Sequence, residues 1–156
     1  MSACCLPGRI VVGVGAVIWN DEGEVLLIRR ANPPRQHEWS LPGGKVEFGE
    51  TLRAALMREV WEETGIEVEI AGLIDVAELV RDEAAGAADA HYVLIDFSAR
   101  ALSGRAVAGS DATEARWFTT DTLATLALWS ETRRIIALSA ANRDSDGCSR
   151  TKPPPA

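Results

Sequence analysis

The sequence predicts a single α/β or α+β domain built around a mixed sheet. Three observations carry that expectation. Short β-branched runs outnumber helical stretches, the helical stretches are interspersed among them, and the length suits one domain. The chain has 156 residues, 47% apolar and 25% charged, enough apolar material for a real core and too much for a disordered chain. No internal repeat is evident.

The elements follow in order. Residues 1–9 read as a loose leader, with Pro7 and Gly8 near its end. Residues 10–19 are β-branched and apolar and predict a buried strand. Asn20-Asp21-Glu22-Gly23 is a turn signal, and Glu24 to Arg30 completes a hairpin. Residues 31–38 contain Pro33-Pro34 and form a loop, followed by an extended piece from Trp39 to Val46 broken by Pro42, Gly43 and Gly44.

Glu50 to Thr64 has helical period and stops at Gly65. Ile66 to Val80 predicts one or two strands with a bulge at Gly72, and Arg81 to Ala90 a flexible loop. His91 to Ala101 is a strand, Leu102 to Asp111 a loop, and Ala115 to Phe118 a short strand. Asp121 to Leu126 and Glu131 to Ala140 are helical. The folded domain is expected over 10–140, with a disordered tail over 141–156, where Asp, Ser, Arg, Lys and Pro take over.

Charge and cysteine usage narrow the function. The net charge is −7, which disfavours a nucleic-acid polymer as partner, because phosphate backbones are held by Lys and Arg patches. A small anion carrying its own metal counter-ions remains compatible. No apolar run reaches membrane-spanning length, and the first residues lack a secretory pattern. Cys4, Cys5 and Cys148 make an odd set near the chain ends, which reads as reduced thiols in a cytoplasmic protein.

Arg58-Glu59-Val60-Trp61-Glu62-Glu63 is the most informative segment. On a helix, Glu59 shares a face with Glu62 and Glu63, and like charges at that spacing repel. Glu59 and Glu63 also fall within the arc that holds Leu52, Ala55 and Leu56, so the charge continues the apolar stripe. Carboxylates led toward an interior need a partner. Hard divalent cations suit them, and Mg²⁺ takes one or two carboxylates plus substrate phosphates. Arg58 offers a planar fork to hold a glutamate. An ordinary charged helix side with an intrahelical Arg–Glu pair explains this string alone equally well. The preceding Leu41-Pro42-Gly43-Gly44 shifts the balance, since adjacent glycines let backbone approach a ligand closely.

Taken together, these residues resemble the Nudix hydrolase family, whose signature is G-x5-E-x7-R-E-U-x-E-E-x-G-U with U aliphatic. The chain supplies Gly44, Glu50, Arg58, Glu59, Val60, Glu62, Glu63, Gly65 and Ile66 at every required spacing. A chance match is on the order of one in a million. The resemblance extends over roughly residues 10 to 140. It implies an α/β/α sandwich with a mixed sheet, Mg²⁺ or Mn²⁺ as cofactor, and hydrolysis of a nucleoside diphosphate linked to another moiety. By position, Glu59 and Glu63 would be the main metal ligands, with the Gly44 carbonyl another. Glu62 would be a further ligand or a proton acceptor, Arg58 would orient the glutamates, and Glu50 would support the helix start or reach an outer metal.

Residues outside the signature complete the expectation. Asp111 and Glu114 join Glu62 as candidate general bases. Arg29 and Arg30 are candidates for substrate phosphates, and Trp39 is one of several aromatics able to stack on a base. The lead-in at Trp39–Gly44 and the Asp111–Trp117 run are most similar to the ADP-ribose (ADP-sugar) pyrophosphatase branch. The chain departs from it in having no proline near Arg81 and Asp82. The alternatives are a nucleoside-triphosphate pyrophosphohydrolase, including oxidised-nucleotide cleansing, and a catalytically silent nucleotide sensor. The expected partner is a small nucleotide, with no nucleic-acid polymer and no membrane. A homodimer is compatible with all three readings.

Overall fold

The computed structural model of the protein describes residues 9–33, 35–80 and 90–147. The leader expected over 1–9 and the loop expected over 81–90 lie outside those residues except for Arg9 and Ala90, which stand in strands, and the end of the expected tail lies outside them too. The elements run β1 (Arg9–Trp19), β2 (Val25–Arg30), β3 (Trp39–Ser40), β4 (Gly43–Lys45), α1 (Leu52–Thr64), β5 (Glu67–Val80), β6 (Ala90–Ser103), β7 (Ala112–Phe118), α2 (Thr120–Thr125) and α3 (Ser130–Gly147). Among the described residues, no helix is long and apolar enough to cross a membrane.

Seven strands form one mixed sheet in the order β3-β2-β1-β6-β5, with β4 also on β1 and β7 also on β2. The β1–β6 pair is parallel, in register from Arg9↔Ala90 to Trp19↔Arg100, and the other pairs are antiparallel. The hairpin expected from the Asn20–Gly23 turn closes at Trp19↔Val25. Glu24 N–H donates to the Asn20 side chain at 2.8 Å, as a turn asparagine should accept. Beyond that point β1 leaves β2 and pairs with β4 at Gly13, Val14 and Gly15. The sheet therefore forks, and the fork frames the site described below.

Alternation along β1 builds two cores. Val14, Ala16 and Ile18 pack with Leu56 and Val60 of α1 and with Phe97 and Ala99 of β6. Val17 and Trp19 pack on the other face with Leu123 of α2 and with Ile135 and Ile136 of α3. A strand buried on both faces reads as a continuous apolar run, which is how β1 reads. Helices on both faces give the α/β/α sandwich. Trp19 Nε1–H donates to Ser139 Oγ at 2.9 Å, tying α3 to the sheet.

Local signals set the ends of α1. Thr51 caps its start, accepting from Ala54 N–H at 3.1 Å. Gly65 ends it in the left-handed conformation at φ 66° and donates to the Trp61 carbonyl. The bulge expected at Gly72 is present as a register shift between Ile70 and Gly72, and β5 is one long strand. One boundary needs correction. α3 runs to Gly147, so the disordered tail expected from residue 141 begins within a helix. The polar composition that suggested disorder there is instead the end of α3, where Ala141 to Ser145 are exposed all round the helix.

Leu56 is fully buried between α1 and the sheet. Leu56→Ala should cost about 2–5 kcal/mol of stability, read as a lower urea midpoint at unchanged slope. A loss under about 1 kcal/mol would mean that α1 does not seal this core.

Candidate active site

The site begins where β1 meets β4. Gly43 has φ +150°, and a Cβ there would lie 2.0 Å from the Val14 carbonyl oxygen. A Cβ on Gly44 would fall 2.4–2.6 Å from all three atoms of the Glu59 carboxyl group. Only glycines let this backbone lie so close to β1 and to helix α1 at once. The Gly43 amide donates to Glu63 Oε2 at 2.9 Å.

Glu63 is only 4% exposed. Burial, the dominant effect, raises its carboxyl to about 8; the Gly43 amide pulls it down, and Glu59 pushes it up. Glu59 is raised as well, again first by burial, against the opposing pull of Arg58. Of two carboxylates one helical turn apart, Glu63 is thus buried and Glu59 half-buried.

Arg58 organises the outer rim. Its Nε donates to Glu50 Oε1 at 2.7 Å and one terminal nitrogen donates to Glu50 Oε2 at 2.9 Å, a bidentate fork. That nitrogen also reaches the Lys45 carbonyl at 3.1 Å, while the other donates to Glu59 at 2.9 Å and Glu62 at 3.3 Å. The hydrogen bond from Arg58 holds Glu50 down at about 2. Glu50 lies just before α1 and also accepts from Glu47 N–H at 3.0 Å, so it supports the approach to the helix.

The loop between β6 and β7 closes the C-terminal end of α1. Val107 and Gly109 amides donate to the Thr64 and Glu63 carbonyls at 2.9 and 3.1 Å, satisfying carbonyls that a helix end leaves open. This places Asp111 near Glu59 and Glu63, whose ionisation it opposes. Asn32 Nδ2 donates to Asp111 Oδ1 at 2.8 Å.

A cleft of about 690 Å³ opens over these residues. Glu59, Glu63, Gly44, Arg30, Trp39 and Asp111 line it. Trp39 stands edge-on to Phe118 at 4.9 Å between ring centres. Arg58, Glu62, Arg29 and Glu114 do not line it. Glu114 accepts from Arg29 at 2.9 Å and also pairs with Arg116. The Arg29 hydrogen bond, first among several effects, lowers its carboxyl below the usual range, which weakens it as a proton acceptor.

The sequence reading did not single out Asp96, which sits on β6 and lines the same cleft. An aspartate inside the apolar run from Tyr92 to Phe97 was the available signal. Trp129 and Arg35 also line the cleft, with the guanidinium 3.8 Å from the ring centre.

The donor set suits a hard cation that keeps open positions. Among the described residues, no group of three His, Cys, Asp or Glu side chains is gathered into a closed metal cage. Mg²⁺ does not require one, since it completes its shell with water and phosphate. The buried Glu63 and half-buried Glu59 against a glycine backbone fit that habit.

The wider comparisons agree with this geometry. The family profile described as NUDIX domain matches residues 9–138. The chain belongs to the NUDIX family. Among relatives of this NUDIX protein, an ADP-ribose pyrophosphatase of Methanocaldococcus jannaschii is 37% identical over 74% of this chain and 66% of that one. A MutT-like protein of Streptomyces ambofaciens is 36% identical over 70% of this chain and 64% of its own length. The chain thus spans about two thirds of these relatives. The solved MutT NUDIX hydrolase from Burkholderia pseudomallei superposes with a TM-score of 0.71 at 36% identity, over 83% of this chain and 98% of that one.

The buried acids give the metal-free protein a pH dependence. Unfolded, Glu63 ionises near 4.5; folded, near 8. The folded state holds the extra proton in between, so stability is lost as pH rises through that window. Asp96, raised to about 6 chiefly by burial, acts in the same direction. Glu50, lowered to about 2, contributes a constant amount above pH 5. In chelator, the melting temperature should fall from pH 5 to pH 8, and Glu63→Gln should flatten most of that fall. An equal slope in the variant would contradict the burial of this carboxyl.

Proposed function

We propose that this NUDIX protein hydrolyses a pyrophosphate bond in a nucleoside diphosphate linked to another moiety, with ADP-ribose or a related nucleotide sugar as its substrate. The observation that carries the reading is the buried Glu63 with the half-buried Glu59 one turn away, against Gly43 and Gly44 and lining a cleft large enough for a nucleotide. The ADP-ribose pyrophosphatase relative and the residues Trp39–Gly44 support the choice of substrate.

Glu59, Glu63 and the Gly44 carbonyl would hold a divalent cation, Mg²⁺ or Mn²⁺. Such an ion neutralises the phosphates and makes a bound water a better nucleophile. The rest falls to the chain's own side chains. Arg58 keeps Glu59 oriented and, through Glu50, fixes the chain just ahead of α1. Arg30 brings a guanidinium to the cleft for phosphate oxygens, and Trp39 offers an aromatic surface beside it. Of the three candidate bases, Asp111 is the one that lines the cleft. We assign it the proton of the attacking water. Glu62 bonds to Arg58 on the exposed side of the helix, and Glu114 is tied to Arg29 and Arg116.

A substrate panel tests the reading: ADP-ribose, other nucleotide sugars, NADH, diadenosine polyphosphates and (d)NTPs, each with Mg²⁺ and with chelator. ADP-ribose should give AMP and ribose 5-phosphate, and chelator should stop it. Preferred turnover of (d)NTPs would replace the substrate assignment, and tight binding without product would make the protein a sensor.

Single substitutions test the roles. Glu63→Gln should lower kcat by orders of magnitude with the fold retained, and near-normal activity there would sink the metal-site assignment. Asp111→Asn should lower kcat about 100-fold or more, while Glu114→Gln should change it little. The reverse order would move the base to Glu114.

A further inference from the structure

We propose that Asp96 is a specificity-determining residue whose carboxylate accepts a hydrogen bond from a ribose hydroxyl of the bound nucleotide. The inference rests on the pyrophosphatase reading above and adds a contact to the part of the substrate that does not react.

Asp96 is 8% exposed and still lines the cleft. Among the described residues, no hydrogen-bond donor or ion-pair partner reaches its carboxylate, although Arg134 acts on it from a distance. No fully buried side-chain oxygen among the described residues lacks a partner, so the Asp96 carboxylate oxygens keep contact with the cleft, and a carboxyl this far out of water without a donor is costly to ionise. Such residues persist where they serve a ligand. Gly15 lies beside it, and a Cβ there would fall 2.3 Å from Asp96 Oδ1. The missing side chain is what leaves the carboxylate room to face the cleft.

Strand register fixes its distance from the phosphate end. Asp96 pairs with Gly15, and Gly15 pairs with Gly43, whose amide holds Glu63. The three residues form one row across β6, β1 and β4. Two strand spacings, roughly 9–10 Å, separate the Asp96 and Gly43 backbones along the sheet, and the Asp96 side chain leaves the sheet on the α3 face, as Gly15 alternates with Val14 and Ala16.

The surroundings exclude an anion there. Tyr92, Leu94 and Leu79 line the floor nearby, and Glu131 is the main charged neighbour raising the Asp96 carboxyl, with Asp75 adding to it and Arg134 opposing. A phosphate would be repelled, whereas a neutral hydroxyl donor is welcome. A carboxylate offers two acceptor oxygens, and an acid that reads ribose hydroxyls is a recurring solution in nucleotide sites.

The test compares ADP-ribose with its two analogues lacking the 2-hydroxyl on one or the other ribose, and with the hypoxanthine analogue lacking the base amine. The wild type should handle one deoxy analogue at least about tenfold less well in kcat/KM. Asp96→Ala, which removes both acceptor oxygens, should bring that ratio close to one while melting no lower than wild type, because no native partner is lost. Equal use of both deoxy analogues by the wild type would overturn the proposal. So would an unchanged ratio in the variant, or a change confined to the hypoxanthine analogue. A variant that melts lower and loses all substrates equally would make Asp96 structural.

Calorimetric binding of the same compounds reads the preference without turnover. Binding with the ribose preference but no hydrolysis would fail the enzymatic reading alone. Hydrolysis without the preference would fail this one alone, and neither binding nor hydrolysis would overturn both.

Discussion

Glu63 is the constraint on which the rest of the site depends. Its carboxylate is buried between helix and sheet, with one backbone amide, that of Gly43, as its hydrogen-bond donor. That contact requires β4 to come against α1, which requires glycine at 43 and 44. It also requires β1 to pair with β4 at Gly13, Val14 and Gly15 and with β2 at Trp19. The fork in the sheet, the cleft and the acidic pair are therefore parts of one arrangement. Ionising a carboxyl buried in this way costs stability, which is why burial raises Glu63 to about 8.

Residues of one type behave oppositely because their surroundings differ. Glu50 and Glu63 flank the same helix, yet Glu50 is held at about 2 and Glu63 is raised to about 8. The first sits in the fork of Arg58 with solvent around it. The second has lost water, and the Gly43 amide and the more distant Arg30 offset that loss in part. Arg58 divides its donors among Glu50, Glu59, Glu62 and the Lys45 carbonyl, so the guanidinium links the start of the helix to its acidic face. Substituting lysine would keep the charge and lose the fork.

Much of this was readable along the chain, where the deciding interactions are local. Thr51 and Gly65 bound α1 through contacts within a turn, and the 3.6-residue period placed Glu63 on the buried arc with Leu56 and Glu59 at its edge. The tail boundary failed because a helix needs only one apolar face, and the polar composition after residue 140 hid α3's continuation to Gly147. Arg29 and Arg30 are equivalent in sequence, but alternation along β2 separates them. Arg30 goes to the cleft and Arg29 to Glu114. The pairing of β2 with β7 that decides this joins residues far apart in the chain.

The sequence by itself determined the family signature, the helix that carries the acids, and the chemistry their spacing suggests, because all of these are fixed within a few turns of one segment. Only the tertiary structure decided which acids face the cleft. It set Asp111 beside Glu59 and Glu63 through a loop that caps α1. It turned Glu114 toward two arginines, and it aligned Asp96 with Gly15 and Gly43 across three strands. Strand order and register arise from contacts between distant segments, and periodicity within a segment carries no record of them.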